Sequence, residues 1–205
     1  MSSIFNVLPD SLSIDNQEYP IETDYRAWIR AYTILLRDTT DEQKAADFCS
    51  WLQDMFLPLT DAAITVMMDF LLCGNHIETG GGGESTPPCF DFEMDSEYIF
   101  AAFWSAYGLD LSVETIHWWK FMALFQSLPD DCQLCKIMRY RAIDIDTVPD
   151  EQKKFYEDMK NRYALPHGET KRPKTAEEHE KDMKIRAQRL YEQAKNKMSG
   201  MQCVE

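Results

Sequence analysis

The chain has 205 residues, of which 44% are hydrophobic and 27% charged, and its formal net charge is −14. That length accommodates one domain with room for a tail, and it is enough to bury a real core. The acidic balance repels phosphate backbones and anionic lipid, which argues against nucleic-acid and membrane-surface partners.

Taken in chain order, Ile4, Phe5, Val7 and Leu8 form an apolar arm expected to pack on the body. The opening MSSIFNVLPDSL lacks the basic and long apolar regions of a signal peptide. Leu12 to Ile21 alternate around Asp15-Asn16-Gln17, predicting a β-hairpin with Pro20 at an edge or strand end. Thr23 or Asp24 caps an amphipathic helix with Tyr25, Trp28, Ile29, Tyr32, Leu35 and Leu36 on its apolar face. Arg26, Arg30 and Arg37 take the other side, a solvated face or a docking stripe for an acidic partner. Thr40 to Gln43 spell a capping box for a helix that buries Phe48, Trp51, Leu52 and Met55 and stops before Pro58. Thr60 caps a third helix, with Ala63, Val66, Met67, Phe70 and Leu71 inward and Gly74 at its end. Met55, Met67 and Met68 fill a core or offer an adaptable surface.

Residues 75–89, with Gly80–Gly83 and Pro87-Pro88, form a flexible loop rather than a phosphate cradle, since no Lys follows and Glu84 repels phosphate. Phe90 to Met94 alternate and suggest a short strand. Asp95 to Leu128 hold the densest aromatic content and predict two helices joined at Gly108. Asp95 or Ser96 caps the first of these and Ser112 the second, which places His117-Trp118-Trp119-Lys120-Phe121 at mid-helix. Asp130-Asp131 cap a short helix through Tyr140, and Arg141 to Ile145 look extended. A helix over 149–164 carries Phe155, Tyr156, Met159 and Tyr163 on one side. Thr175 to Glu178 open a long polar helix with a thin stripe at Met183, Ala187, Leu190, Tyr191, Ala194 and Met198. So polar a helix is expected to face solvent or to fold against a partner.

Charge is uneven along the chain. Met1 to Trp119 hold four Lys and Arg against twenty Asp and Glu, whereas Pro166 to Glu205 hold nine against seven. No apolar run approaches the ~20 residues that span a membrane. The six cysteines lie outside any secretory context and are expected to be reduced.

Chemistry-bearing constellations are sparse. Cys132-x-x-Cys135 has redox or metal spacing but no second pair, and Asp130-Asp131 would raise a thiol pKa there. His76, His117, His167 and His179 are scattered, and none has a ligand four residues away. Asp144 and Asp146, like Asp130 and Asp131, fall where loops and caps favour Asp for structural reasons. No catalytic residue, cofactor or metal is expected. The residues alone describe an acidic, mainly α, non-enzymatic binding or scaffolding protein of about six to seven helices. Its expected plan is a single helical domain, 1–166, with an N-terminal β-hairpin, followed by a polar helical extension, 167–205.

Several blocks in order nevertheless resemble one family. They are Leu8-Pro9-Asp10, Ile14, Tyr19-Pro20-Ile21, Thr23-Asp24-Tyr25-Arg26-x-Trp28, Cys73-Gly74, and Phe92 through Ile99. Further on come Ala101-Ala102-Phe103, Tyr107 through Leu111, His117-Trp118-Trp119-Lys120-Phe121-x-Ala123-Leu124-Phe125, and Lys136-Ile137-Met138-x-Tyr140-Arg141-x-Ile143-Asp144. Gln152 through Tyr156 and Tyr163 through Pro166 complete the set. The chain thus resembles the bacteriophage "gene product fifteen" family of siphophage and prophage tail-gene clusters. The resemblance implies no enzymatic activity. It implies a tail assembly chaperone in the host cytoplasm, binding the tape-measure or other tail proteins, with self-association left open. The alternative is a virion component such as a tail-completion or connector protein. His117, Trp118, Trp119, Lys120, Tyr140 and Arg141 are the expected partner-binding residues. One of the two tryptophans is expected to be buried and the other nearer the surface, because they point about 100° apart on a helix.

Overall fold

The computed structural model describes residues 7–37, 39–74, 89–165 and 176–201, and in the last helix the side chains of 183–195. The glycine-rich loop, Ile4, Phe5, Thr175, His76 and His167 lie outside these residues, as do the side chains of His179 and Met198. The described part is mainly α, with a two-stranded hairpin and eight α-helices, seven before the C-terminal one, as expected.

Two compact units share the chain. The first takes residues 1–83, 116–122 and 181–205; the second takes 84–115 and 123–180.

The first unit begins with β1 (Ser11–Ile14) and β2 (Gln17–Pro20), antiparallel, with Ser11 opposite Pro20 and Ile14 opposite Gln17. Asp15 and Asn16 both have positive φ, 51° and 63°, which is what a two-residue hairpin turn demands. Helix α1 (Tyr25–Leu36) starts at Asp24, whose carboxylate accepts from the Arg26 N–H at 3.0 Å. Helix α2 (Asp41–Asp54) is capped by the Thr40 hydroxyl, which accepts from the Gln43 N–H. The box is half-formed: the Gln43 side chain donates to Asp47 rather than reaching back. Helix α3 (Asp61–Leu71) is capped by Thr60 and ends in two left-handed residues, Cys73 and Gly74.

The core of this unit is aromatic. Trp28, fully buried, meets Phe70 at 4.2 Å and Trp51 edge-on at 5.4 Å. Met67 and Met68 are also fully buried, so these methionines fill the core. Each such side chain contributes about 1.5–3 kcal/mol by leaving water. Arg30 and Arg37 of the α1 region pair with this unit's own Asp54 and Asp47, rather than standing as an open docking stripe.

Helix α8 (Ala176–Met201) departs from its expectation. Of its thin stripe, Met183, Ala187, Leu190 and Ala194 are buried and Tyr191 is half-buried. Arg186 donates to the Leu35 carbonyl from the end of α1, and Lys195 pairs with Asp61.

The second unit contains α4 (Ser96–Tyr107), α6 (Gln133–Ala142), a 3₁₀ turn (Ile145–Thr147) and α7 (Asp150–Arg162). Helix α5 (Trp118–Gln126) carries the chain from the first unit into the second after Met122. Phe90, Phe92 and Phe125 cluster with centroids 5.0–5.6 Å apart.

Five local expectations are corrected. Phe90 to Met94 form a turn instead of a strand, because Asp91 Oδ1 accepts from the Glu93 and Met94 N–H groups. Asp95 precedes α4 but makes no capping bond; its carboxylate is engaged elsewhere. Ser112 caps nothing, for it turns back on Asp110, and α5 starts only at Trp118. Cys132, rather than Asp130 or Asp131, caps α6, with Sγ accepting from the Cys135 N–H at 3.4 Å. Arg141 and Ala142 complete α6 rather than extending, and Ile145 opens the 3₁₀ turn.

Candidate functional site

The His117-Trp118-Trp119 motif sits at the start of α5, not at its middle. Backbone pairing holds it there. The Trp118 N–H donates to the Thr23 carbonyl at 2.8 Å, and the Tyr25 N–H donates to the Ile116 carbonyl at 2.9 Å. The two segments thus form a one-residue antiparallel bridge between Asp24 and His117. A helix cannot include Ile116 while its carbonyl serves α1, which explains the late start.

Side chains extend the clasp. His117 Nδ1 accepts from the Trp119 N–H at 3.0 Å, so the proton of a neutral ring lies on Nε2. From there it reaches the Pro9 carbonyl at 2.9 Å. Trp118 donates its indole N–H to the Leu71 carbonyl at 3.0 Å, and Trp119 donates to Phe70 at 2.8 Å. These are late carbonyls of α3, beyond its regular ladder; that of Phe70 also accepts from the Cys73 N–H at 3.0 Å. Two indoles therefore finish α3 from outside. Trp118 is fully buried and Trp119 half-buried, as their angular separation requires. Gly74 lets Trp119 approach: a Cβ there would lie 3.3 Å from the indole ring.

The other nominated residues are placed separately. Lys120 is exposed. Tyr140 is half-buried and stacks on Tyr163 at 6.1 Å, with Phe155 and Tyr156 each at 6.2 Å. Arg141 is buried and forks onto Asp95 at 2.6 and 2.8 Å. It also donates to the Cys89 and Tyr163 carbonyls. Asp95 in turn accepts from the Asp91 N–H. A charge this deep is tolerated only when its partner and its remaining bonds are in place.

Cys135 has the wrong electrostatics for a nucleophile. Burial first, then the hydrogen bond and charge of Cys132, push the Cys135 thiol up to about 12. Thiolate chemistry needs the opposite shift. Burial also pushes Cys73 up to about 12. Among the described residues, no group of three or more His, Cys, Asp or Glu could hold a metal ion, and no helix is long and apolar enough to cross a membrane.

A family model described as "Bacteriophage Gp15 protein" matches residues 4–165. The chain belongs to the bacteriophage Gp15 family. The match takes in the hairpin, the His117-Trp118-Trp119 clasp and the Asp95–Arg141 pair, and it ends before α8 of this Gp15 protein. No curated protein and no solved structure matches the chain.

Sequence reasoning missed two features of this Gp15 chain. Asp95 was read as a helix cap, since its partner Arg141 lies 46 residues away. The dense aromatic stretch carries no expectation of exposure, yet Phe100 and Trp104 are 38% and 55% exposed. The available signal was α4 itself, which is apolar on every side.

Proposed function

We propose that this chain is a non-enzymatic tail assembly chaperone, one that binds the tape-measure protein in the host cytoplasm before the tail tube forms. Membership of the Gp15 family carries the reading. Its physical chemistry is consistent with the role. A net charge of −14 keeps a complex dispersed. A helical body with an uncovered aromatic face suits recognition of a helical client.

Of the six nominated residues, Trp118 and Arg141 serve the interior. Lys120, with the accessible parts of His117, Trp119 and Tyr140, remains available for partner contact in this proposal. The division into a family domain, 1–166, and an extension, 167–205, belongs to the same proposal.

The competing reading is a structural virion component, such as a tail-completion or connector protein, since Gp15 membership also admits it. Mass spectrometry of purified virions separates them. A chaperone leaves before maturation and is absent; recovery at fixed copy number per particle would establish the structural role instead.

A further inference from the structure

A helix that is hydrophobic all round belongs in an interior, yet α4 has only one face covered. Ile99, Ala102 and Phe103 point inward and are buried. Phe100, Ala101 and Trp104 are exposed and share a second face at i, i+1 and i+4. Phe100 and Trp104 stack with centroids 6.4 Å apart and planes 13° from parallel, so the aromatic surface is already assembled. Met94, 58% exposed, precedes the helix.

The charge that α4 and its flanking segments carry has one sign, the described cations of this unit lying on α6 and α7. Between Lys44 and Lys120 the chain has no Lys or Arg. Glu97, three residues before Phe100 on the same face, is exposed, as is Glu93. Two copies of such a face would bring like charges together, and an anionic surface would be repelled. A cationic partner gains on both counts.

We propose that the outer face of α4, built on Phe100 and Trp104 with Glu97 at its side, docks an amphipathic helix whose apolar stripe is flanked by Lys or Arg. Stacked aromatics supply apolar area at low entropic cost, and anchors of this kind dominate binding energy. Glu97 sets the polarity of the partner and the salt dependence. The proposal rests on the chaperone reading for its client, but not for its surface.

The probe is an amphipathic Leu/Lys peptide of about 18 residues, five helical turns, titrated calorimetrically into the full chain. The expected result is binding that weakens about tenfold or more in the Phe100→Ser, Trp104→Ser double variant. Glu97→Lys, which keeps both rings, is expected to weaken it severalfold at low salt. A peptide with Glu in place of Lys, and a scrambled Leu/Lys peptide without the stripe, should bind at least tenfold less tightly. Equal binding by the double variant, by Glu97→Lys, or by either control peptide would overturn the proposal. So would reversible self-association that the double variant abolishes, because a second copy would then cover the face. If the double variant loses its helical signal, Glu97→Lys decides. Co-purification with the tape-measure protein separates the two claims. Peptide binding without tape-measure binding removes the chaperone reading alone; undiminished tape-measure binding by the double variant removes this surface alone.

Discussion

Asp95 and Arg141 meet through two hydrogen bonds, 2.6 and 2.8 Å, with both side chains buried. Removing one partner leaves the other charge stranded. Arg141→Ala is expected to cost about 3–5 kcal/mol in urea unfolding. An Asp95→Leu, Arg141→Met double variant should recover only the part due to the stranded charge, since the Cys89 and Tyr163 carbonyls and the Asp91 N–H still lose their partners. Equal stability of Arg141→Ala and the parent would mean that the pair is not formed.

Trp118 and Trp119 test the clasp on α3. Trp118→Phe keeps most of the packing but strands the Leu71 carbonyl, and about 1–3 kcal/mol is expected. Trp119→Phe removes the bond to Phe70 at a half-buried site, where water can substitute, so its loss should be smaller. Gly74→Ala adds a Cβ at φ +78° against the Trp119 ring, at a cost of about 1–3 kcal/mol. Thermal unfolding of the three variants gives the order.

What could be read locally follows from these examples. The hairpin was legible because Asp15-Asn16 accept positive φ, and α1 to α3 because Asp24, Thr40 and Thr60 carry the cap chemistry themselves. The start of α5 was not, since the Ile116 carbonyl is taken by Tyr25, far away in sequence. The role of Asp95 was hidden for the same reason: the arginine that claims its carboxylate belongs to α6. On the candidate surface, periodicity identified α4 as apolar but could not say which of its aromatics lacked a covering element.

Thiol chemistry makes a third test. With Cys73 and Cys135 pushed up to about 12, only about one thiol in ten thousand is ionised at pH 8. The thiolate fraction then rises tenfold per pH unit until the pKa is reached. Iodoacetamide at pH 8 should leave both unlabelled in the native protein and label both after denaturation. Mapping adducts by peptide mass spectrometry checks this, and rapid native labelling of Cys135 would reopen a reactive role for the pair.

Helix α8 lies beyond the family match, yet it buries Met183, Ala187, Leu190 and Ala194. Leu190→Asp places a charge in that seam and is expected to destabilise by about 2–5 kcal/mol. Lys195→Ala breaks an exposed, solvent-screened pair with Asp61 and should leave the unfolding midpoint nearly unchanged. Denaturant titration of both variants is the measurement. Similar curves for Leu190→Asp and the parent would mean that α8 does not pack on the chain.

Phe56 is 92% exposed at φ 56°, an unfavourable backbone conformation for a bulky residue. Phe56→Gly is expected to raise stability by about 1 kcal/mol by relieving that strain, offset in part by added freedom of the unfolded chain. A lower unfolding midpoint would show that the ring makes contacts worth more than the strain.

In the role proposed for it, this Gp15 protein holds a tape-measure protein in solution. Its most direct test is co-expression of the full chain with that protein, followed by sedimentation and affinity purification. The tape-measure protein is expected to move from the pellet into a soluble complex with this chain. A tape-measure protein that stays insoluble, with no complex recovered, would contradict it.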